Sequence, residues 1–283
     1  MKARAFDYAR PGSVTEALAA FAANPEASYI AGGQSLVPAL ALRLQAPSLL
    51  IDIAHIATLR GVDVAAGWLR IGALTTHAEM LTNPLIALHA PLLREAAPHV
   101  AHPAIRNKGT IGGSVALADP ASEFPAMMLA TGAEIEIANA RGTRRVPADA
   151  FFLGLYQTAM ALGELLVAVH IPIVRAGHRC AFDELTRRRG DYPIVGAGIL
   201  AEFDNDVVID ARIAFLSVGA TPVRAKQAEA VLVGGKLDNA AIAQAQTALD
   251  DDLDPADDEQ LPAAVRLHLA RVLLGRLLGR IMA

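Results

Sequence analysis

The sequence predicts an α+β chain made of consecutive units, and three observations carry that reading. Two glycine-rich turns, Ala31-Gly32-Gly33-Gln34-Ser35 and Gly109-Thr110-Ile111-Gly112-Gly113-Ser114, each abut an apolar run. The texture changes near residue 60, where a strand, turn, helix, strand pattern gives way to shorter elements. The last third reads as strands followed by helices, which marks a separate α+β domain with an antiparallel sheet.

Ser13 and Glu16 have capping-box spacing ahead of Ala17-Leu18-Ala19-Ala20-Phe21, so a helix opens there and ends near Asn24-Pro25. Ser28 to Ala31 is a strand feeding the first glycine turn. Leu36 to Leu44 then reads as a helix and Leu49 to Ile53 as a buried strand. Beyond residue 60, Trp68 to Ile71 is a short strand, and the Thr76 to Glu79 capping box opens another helix. A helix over Glu123 to Ala130 is stopped by Gly132, and Glu134 to Ile137 turns at Arg141-Gly142 into Thr143 to Val146. Leu165 to Ile171 closes this unit before Pro172. Ala181 to Leu185, Ile194 to Phe203 and Val207 to Val218 follow at hairpin-like spacing, then helices over Ala225 to Val233, Asn239 to Leu249 and Pro262 to Met282. The acidic run Asp250 to Glu259 reads as a solvated linker.

With 283 residues, 53% of them hydrophobic, the chain can bury one large core or two to three smaller ones without staple or metal. Its net charge of −4, from 25 basic and 29 acidic side chains without a basic stripe, argues against an electrostatic grip on nucleic acid. The single cysteine, Cys180, excludes a disulfide framework and any cysteine-ligated iron–sulfur cluster made by this chain alone. Charges at Lys2, Arg4 and Asp7 fall where a signal peptide carries its apolar core, and no stretch approaches a membrane span, so the expected location is the cytoplasm.

Backbone without Cβ atoms approaches phosphate closely, and successive N–H groups in a turn form a nest for negative charge. A lone diglycine turn is ordinary turn chemistry. Two such turns point to one large anionic ligand, and Asp119-Pro120-Ala121-Ser122-Glu123 adds a helix N-terminus with hydroxyl and carboxylate groups suited to ribose or ribityl hydroxyls. Neither turn is a P-loop, since no Gly-Lys-Ser/Thr follows. Gly196-Ala197-Gly198-Ile199-Leu200-Ala201 fits the dinucleotide fingerprint formally, but a strand pattern continues where a helix is required, so its glycines serve strand packing. His99 and His102, bracketed by Pro98 and Pro103, lack a third metal ligand and read as surface or hinge histidines. Arg187-Arg188-Arg189 reads as a solvated strand end, and Tyr192 either lies against a planar ring or serves as a core or rim tyrosine.

Read together, these residues resemble the FAD-binding medium subunit of the molybdenum hydroxylases, the group of carbon monoxide dehydrogenase, xanthine dehydrogenase and bacterial N-heterocycle hydroxylases. The resemblance runs the full length. Ala31 to Leu36 stands at the family's first pyrophosphate loop, and Ile105-Arg106-Asn107 through Thr110 to Gly113 and Asp119 to Ser122 stands at its second. The resemblance implies a two-part FAD-binding region of the p-cresol methylhydroxylase type, over 1–58 and 59–175, followed by a C-terminal flavoprotein domain over 176–283.

It further implies noncovalent FAD. Ala31, Gly32, Gly33, Gln34, Ser35 and Leu36, with Thr110, Ile111, Gly112, Gly113 and Ser114, would hold the pyrophosphate through backbone donors. Glu123 would stand near the sugar, Leu166 would pack near the ring, and Tyr192 would lie by the isoalloxazine. Three positions depart from the pattern. Ser114 replaces a common asparagine, Glu123 the usual aspartate, and Asp183-Glu184 follow Phe182 where many relatives carry a lysine. The implied activity is electron transfer through FAD from partner clusters to an external acceptor, with no catalytic or metal-ligating side chain on this chain. The implied partners are a small subunit with two-iron two-sulfur clusters and a large molybdopterin subunit, in a dimer of heterotrimers. Two alternatives stay open, a stand-alone FAD oxidase or dehydrogenase of this fold and a flavin-free assembly paralogue.

Overall fold

The computed structural model describes residues 2–258 and 261–282. The first unit comprises β1 (Asp7–Ala9), α1 (Val14–Ala23), β2 (Ser28–Ile30), α2 (Leu36–Ala41) and β3 (Leu49–Asp52). Its three strands form a parallel sheet in the order β1-β3-β2. Ser13 caps α1 by accepting from the Glu16 amide at 3.2 Å, while the Glu16 carboxylate reaches back to the Gly12 amide at 2.7 Å. α2 is shorter than expected, because the chain leaves it at Leu42 and Arg43 takes a left-handed φ of 59°.

The second unit runs through β4 (Val62–Ala65), β5 (Trp68–Gly72), α3 (His77–Thr82), α4 (Pro84–His89), α5 (Pro91–Ala96), α6 (Pro103–Arg106), α7 (Ile111–Leu117) and α8 (Glu123–Thr131). It continues through β6 (Glu134–Asn139), β7 (Gly142–Pro147), β8 (Phe152–Gly154), β9 (Gln157–Thr158) and β10 (Leu165–Pro172). The sheet β4-β5-β10-β6-β7 is antiparallel, with the apolar β10 at its centre, buried from Leu165 to Ile171. The full capping box at Thr76 and Glu79 opens α3. α8 is buried at every position, as a helix apolar all round must be.

One element overturns the sequence reading in a way that matters for the site. The second glycine segment is not a turn but the first turn of α7, capped by Thr110, whose Oγ1 accepts from the Gly113 amide at 3.1 Å. Gly112 is there for packing, since a Cβ on it would lie 2.5 Å from the Ala73 Cβ and 2.7 Å from the Ala73 carbonyl oxygen.

The third unit is an antiparallel sheet, β11 (His178–Leu185), β12 (Val195–Asp204), β13 (Val207–Leu216) and β14 (Val223–Arg224), followed by α9 (Lys226–Leu232), α10 (Asn239–Asp252) and α11 (Ala263–Met282). One sheet face packs on the leucines of α11, and Phe182, Ala214 and Leu216 join the core around α8. The fingerprint-like glycines lie in β12, where a Cβ on Gly198 would meet Met127 at 2.4 Å. The acidic run is more than a solvated linker. Asp252 lies within α10 and accepts from the Gln227 and Ala228 amides at the start of α9, both at 2.9 Å. Asp250 pairs with Arg271 and Asp258 with Arg266, while Glu259 lies outside the described residues.

Candidate functional site

Where the three units meet, a cavity of about 880 Å³ opens, within the range that drug-sized ligands and cofactors occupy. The two glycine segments converge on it and touch each other. A Cβ on Gly32 would sit 2.0 Å from the Lys108 carbonyl oxygen, so only glycine allows this approach. Gly33 has a φ of 71°, a conformation that L side chains avoid.

Of the residues singled out from sequence, Ala31 to Leu36, Thr110, Gly112, Gly113, Ser114, Glu123, Leu166 and Tyr192 all line this cavity. Ile111 does not, because its side chain is fully buried in the core of the second unit. The two segments also differ in what they offer a ligand. The amides of Ile111, Gly112, Gly113 and Ser114 already donate to the Thr75 carbonyl, the Ala73 carbonyl, Thr110 Oγ1 and the Thr110 carbonyl at 2.9 to 3.1 Å. The amides of Gly32, Gly33, Gln34 and Ser35 meet no acceptor among the described residues, while the Gln34 side chain braces the loop on the Gly32 carbonyl at 3.0 Å. Free donors therefore lie on the first loop, and the second segment is framework that lines the cavity at Thr110, Gly112, Gly113 and Ser114. Ser114 Oγ is itself 2.8 Å from Ser122 Oγ.

Glu123, the first residue of α8, is 7% exposed on the cavity wall. Burial raises its carboxyl to about 8 against the opposing pull of its own backbone amide; Glu184 and Asp119 push it further up and His99 down. The neutral acid can donate a hydrogen bond at physiological pH. Tyr192 is 73% exposed, yet its hydroxyl is tethered, donating to Asp119 Oδ2 at 3.1 Å.

Sequence reasoning passed over His77 and Tyr156 and did not foresee the partners of Asp119 and His99. His77 lines the cavity, stacks on Phe124 with ring centroids 5.0 Å apart, and leaves its buried Nδ1 without a partner. Burial, with Arg106 nearby, lowers it to about 4, so it stands as neutral imidazole. Asp119 gathers the Tyr192 hydroxyl, the Tyr156 hydroxyl at 3.5 Å and the Ala121 amide at 2.9 Å. His99, read as a surface or hinge residue, lies 3.4 Å from the buried Glu184 carboxylate, whose hydrogen bond raises the imidazole above its ordinary value against the opposing effect of burial. The capping-box threonine ahead of His77 was the one local signal for that histidine. Among the described residues no group of three or more His, Cys, Asp or Glu side chains is placed to hold a metal ion.

Unpaired amides at Gly32 to Ser35, the Glu123 carboxyl, and the apolar and aromatic side chains of Leu166 and Tyr192 thus line one cavity. A family model described as the FAD binding domain in molybdopterin dehydrogenase matches residues 4–174, and one described as the CO dehydrogenase flavoprotein C-terminal domain matches residues 180–281. The chain belongs to the FAD-binding medium subunits of the molybdenum hydroxylases. As such a medium subunit it is an FAD-dependent oxidoreductase chain of a multi-subunit enzyme. It is 39% identical over 282 residues, 99% of this chain and 95% of the relative, to the 6-hydroxypseudooxynicotine dehydrogenase complex subunit alpha of Paenarthrobacter nicotinovorans. It is 36% identical over 98% of its length, and 97% of the relative's, to the carbon monoxide dehydrogenase medium chain of Afipia carboxidovorans. Its structure is similar to quinoline 2-oxidoreductase from Pseudomonas putida 86, with a TM-score of 0.95, 39% identity and coverage of 100% of this chain and 98% of that one. Among the described residues no helix of the medium subunit is long and apolar enough to cross a membrane.

Proposed function

We propose that this medium subunit holds FAD noncovalently in the main cavity and passes electrons from iron–sulfur clusters on a small partner subunit to an external acceptor. The free amides of Gly32 to Ser35, opening onto a cavity that Glu123, Leu166 and Tyr192 also line, are the observation that carries this reading. Flavin supplies the ability to accept electrons singly and release them singly or in pairs. The chain's own residues bind and orient. The first loop would hold the pyrophosphate, the Lys108–Gly109 backbone ahead of α7 fixes that loop by its close approach to Gly32, Glu123 would meet the sugar or ribityl region, Leu166 would pack near the ring, and Tyr192 would lie by it.

The organic substrate would be hydroxylated on a large molybdopterin subunit, and the iron–sulfur clusters would lie on the small one, since a single cysteine cannot ligate them. That cysteine, Cys180, is half-buried, and burial first, then Glu95, pushes the thiol up to about 12, so it stays a neutral thiol. The proposed assembly is a dimer of heterotrimers in the cytoplasm. The test is the visible absorbance of the chain after FAD addition and desalting, followed by acid precipitation. Yellow protein that releases its flavin to acid is the expected result. Folded, colourless protein contradicts the flavin reading, and steady turnover of an organic substrate by the isolated chain contradicts the division of labour.

A further inference from the structure

Asp119 joins two tyrosines that come from different units of the fold. It follows α7, which ends at Ala118 in a left-handed conformation with a φ of 54°. Asp119 is buried, and it lines the main cavity. Its Oδ1 accepts from the Ala121 amide at 2.9 Å, and its carbonyl accepts from the Ser122 amide at 3.0 Å. The next carbonyl, of Pro120, accepts from the Ser217 amide of the third unit at 2.8 Å. The carboxylate is therefore fixed in place, with Oδ2 left for the two phenols.

Tyr192 donates to Oδ2 at 3.1 Å from the loop between β11 and β12, and Tyr156 reaches the same oxygen at 3.5 Å from the turn between β8 and β9. Little else holds either ring. Tyr192 is 73% and Tyr156 55% exposed, and neither stacks on another aromatic ring among the described residues. Tyr156 also takes a φ of 55° in its turn, where glycine or asparagine is the ordinary choice. Partial burial first, then the charge and hydrogen bond of Asp119, push the Tyr192 phenol up to about 12, and the same causes raise Tyr156. Both phenols stay donors at physiological pH. An exposed tyrosine without a tether samples several rotamers, and a ligand that uses its ring must order it on binding. The bond to Oδ2 removes that cost in advance.

We propose that Asp119 is a positioning residue, which sets the Tyr192 ring at the main cavity before FAD binds, with Tyr156 as a second, looser phenol on the same oxygen. This rests on the flavin reading above, in which Tyr192 lies by the cofactor ring. Asp119 acts through Tyr192 and not by a contact of its own with FAD.

The test is a double-mutant cycle on FAD affinity, read by calorimetric titration of the full chain carrying Asp119→Ala, Tyr192→Phe or both. Each single variant is expected to bind FAD about fivefold more weakly, and the double variant no more weakly than either one. Tyr192→Phe keeps the ring and removes only the hydroxyl, so it reads the tether with the fold intact. Asp119→Asn, whose Oδ1 still accepts from Ala121, takes the place of Asp119→Ala if that variant does not fold. The second readout is the fluorescence decay of bound FAD, which a phenol ring held in contact quenches. The parent is expected to decay with one short lifetime, and Asp119→Ala to add a long one from a ring no longer held. A merely structural role would leave the decay of bound FAD unchanged. Losses that add in the double variant, single variants that bind FAD as the parent does, or a parental decay in Asp119→Ala overturn the positioning role and leave the flavin reading standing. A parent chain that does not hold FAD overturns both.

Discussion

The two glycine segments look alike in sequence and do different work in the fold. Gly32 and Gly33 sit in an open loop after β2, where one is pressed against the Lys108 carbonyl and the other takes a left-handed φ, leaving four amides free on the cavity. Gly112 and Gly113 sit inside α7, where their amides are bound and the absence of a side chain lets the helix lie on Ala73. The comparison teaches that a glycine-rich motif at a ligand site can be a donor array or a scaffold, and that hydrogen-bond occupancy of its amides distinguishes the two.

Breaking the scaffold has the largest expected effect. Gly112→Val drives a side chain into Ala73 Cβ at 2.5 Å and into backbone, and overpacking of this kind costs about 3 kcal/mol or more. Thermal melting should show a fall of roughly ten degrees, with FAD lost only through loss of fold. Next comes the carboxyl beside the scaffold. The folded state holds the Glu123 proton to about 8 against an ordinary 4.5, so this group's contribution to stability is complete below pH 4.5 and is lost as pH rises through about 8. Glu123→Gln has no proton to lose. Denaturant titrations of the FAD-free protein should therefore show a flatter profile between those values, with the difference from the parent widest above pH 8.

In the donor loop the expected effect moves from stability to affinity. Gly33→Ala imposes about 1–2 kcal/mol of backbone strain and brings Val37 Cγ2 to 3.1 Å from the new Cβ. The loop is partly exposed and escapes that strain when empty, so calorimetric titration should show FAD binding weakened about tenfold while the melting temperature barely moves. The smallest effect sharpens the distinction. Thr110→Val removes the α7 cap, at about 1 kcal/mol of stability, and releases the Gly113 amide toward the cavity. Melting temperature should fall slightly with FAD affinity unchanged. A parallel loss of affinity would mean that the second segment holds ligand through Thr110 itself.

Much of this architecture was legible because local pattern and tertiary role agree. The apolar run Phe124 to Ala130 is a legible helix because Gly132 stops it, and the apolar run Leu165 to Ile171, bounded by Pro172, is legible as the element that closes its unit. α7 was not legible, since Gly112-Gly113 argues for a turn and the reason for a helix there is Ala73, a neighbour in space and not in sequence. The same holds for the site. Glu123, Leu166 and Tyr192 could be placed by resemblance, and all three line the cavity. His77, Asp119 and the His99–Glu184 pair draw their character from burial and from partners on distant segments, which no local spacing records. The acidic run from Asp250 misled for a related reason, since a charge run reads as solvated until its capping contacts on α9 are seen.

The central claim is that one glycine segment donates to the ligand and the other supports it. Residue-resolved amide hydrogen exchange of the chain with and without FAD tests this most directly. Protection of Ile111 to Ser114 already present without FAD, together with protection of Gly32 to Ser35 that appears on FAD addition, is the predicted result. Protection that appears at Ile111 to Ser114 while Gly32 to Ser35 stay unchanged would contradict it.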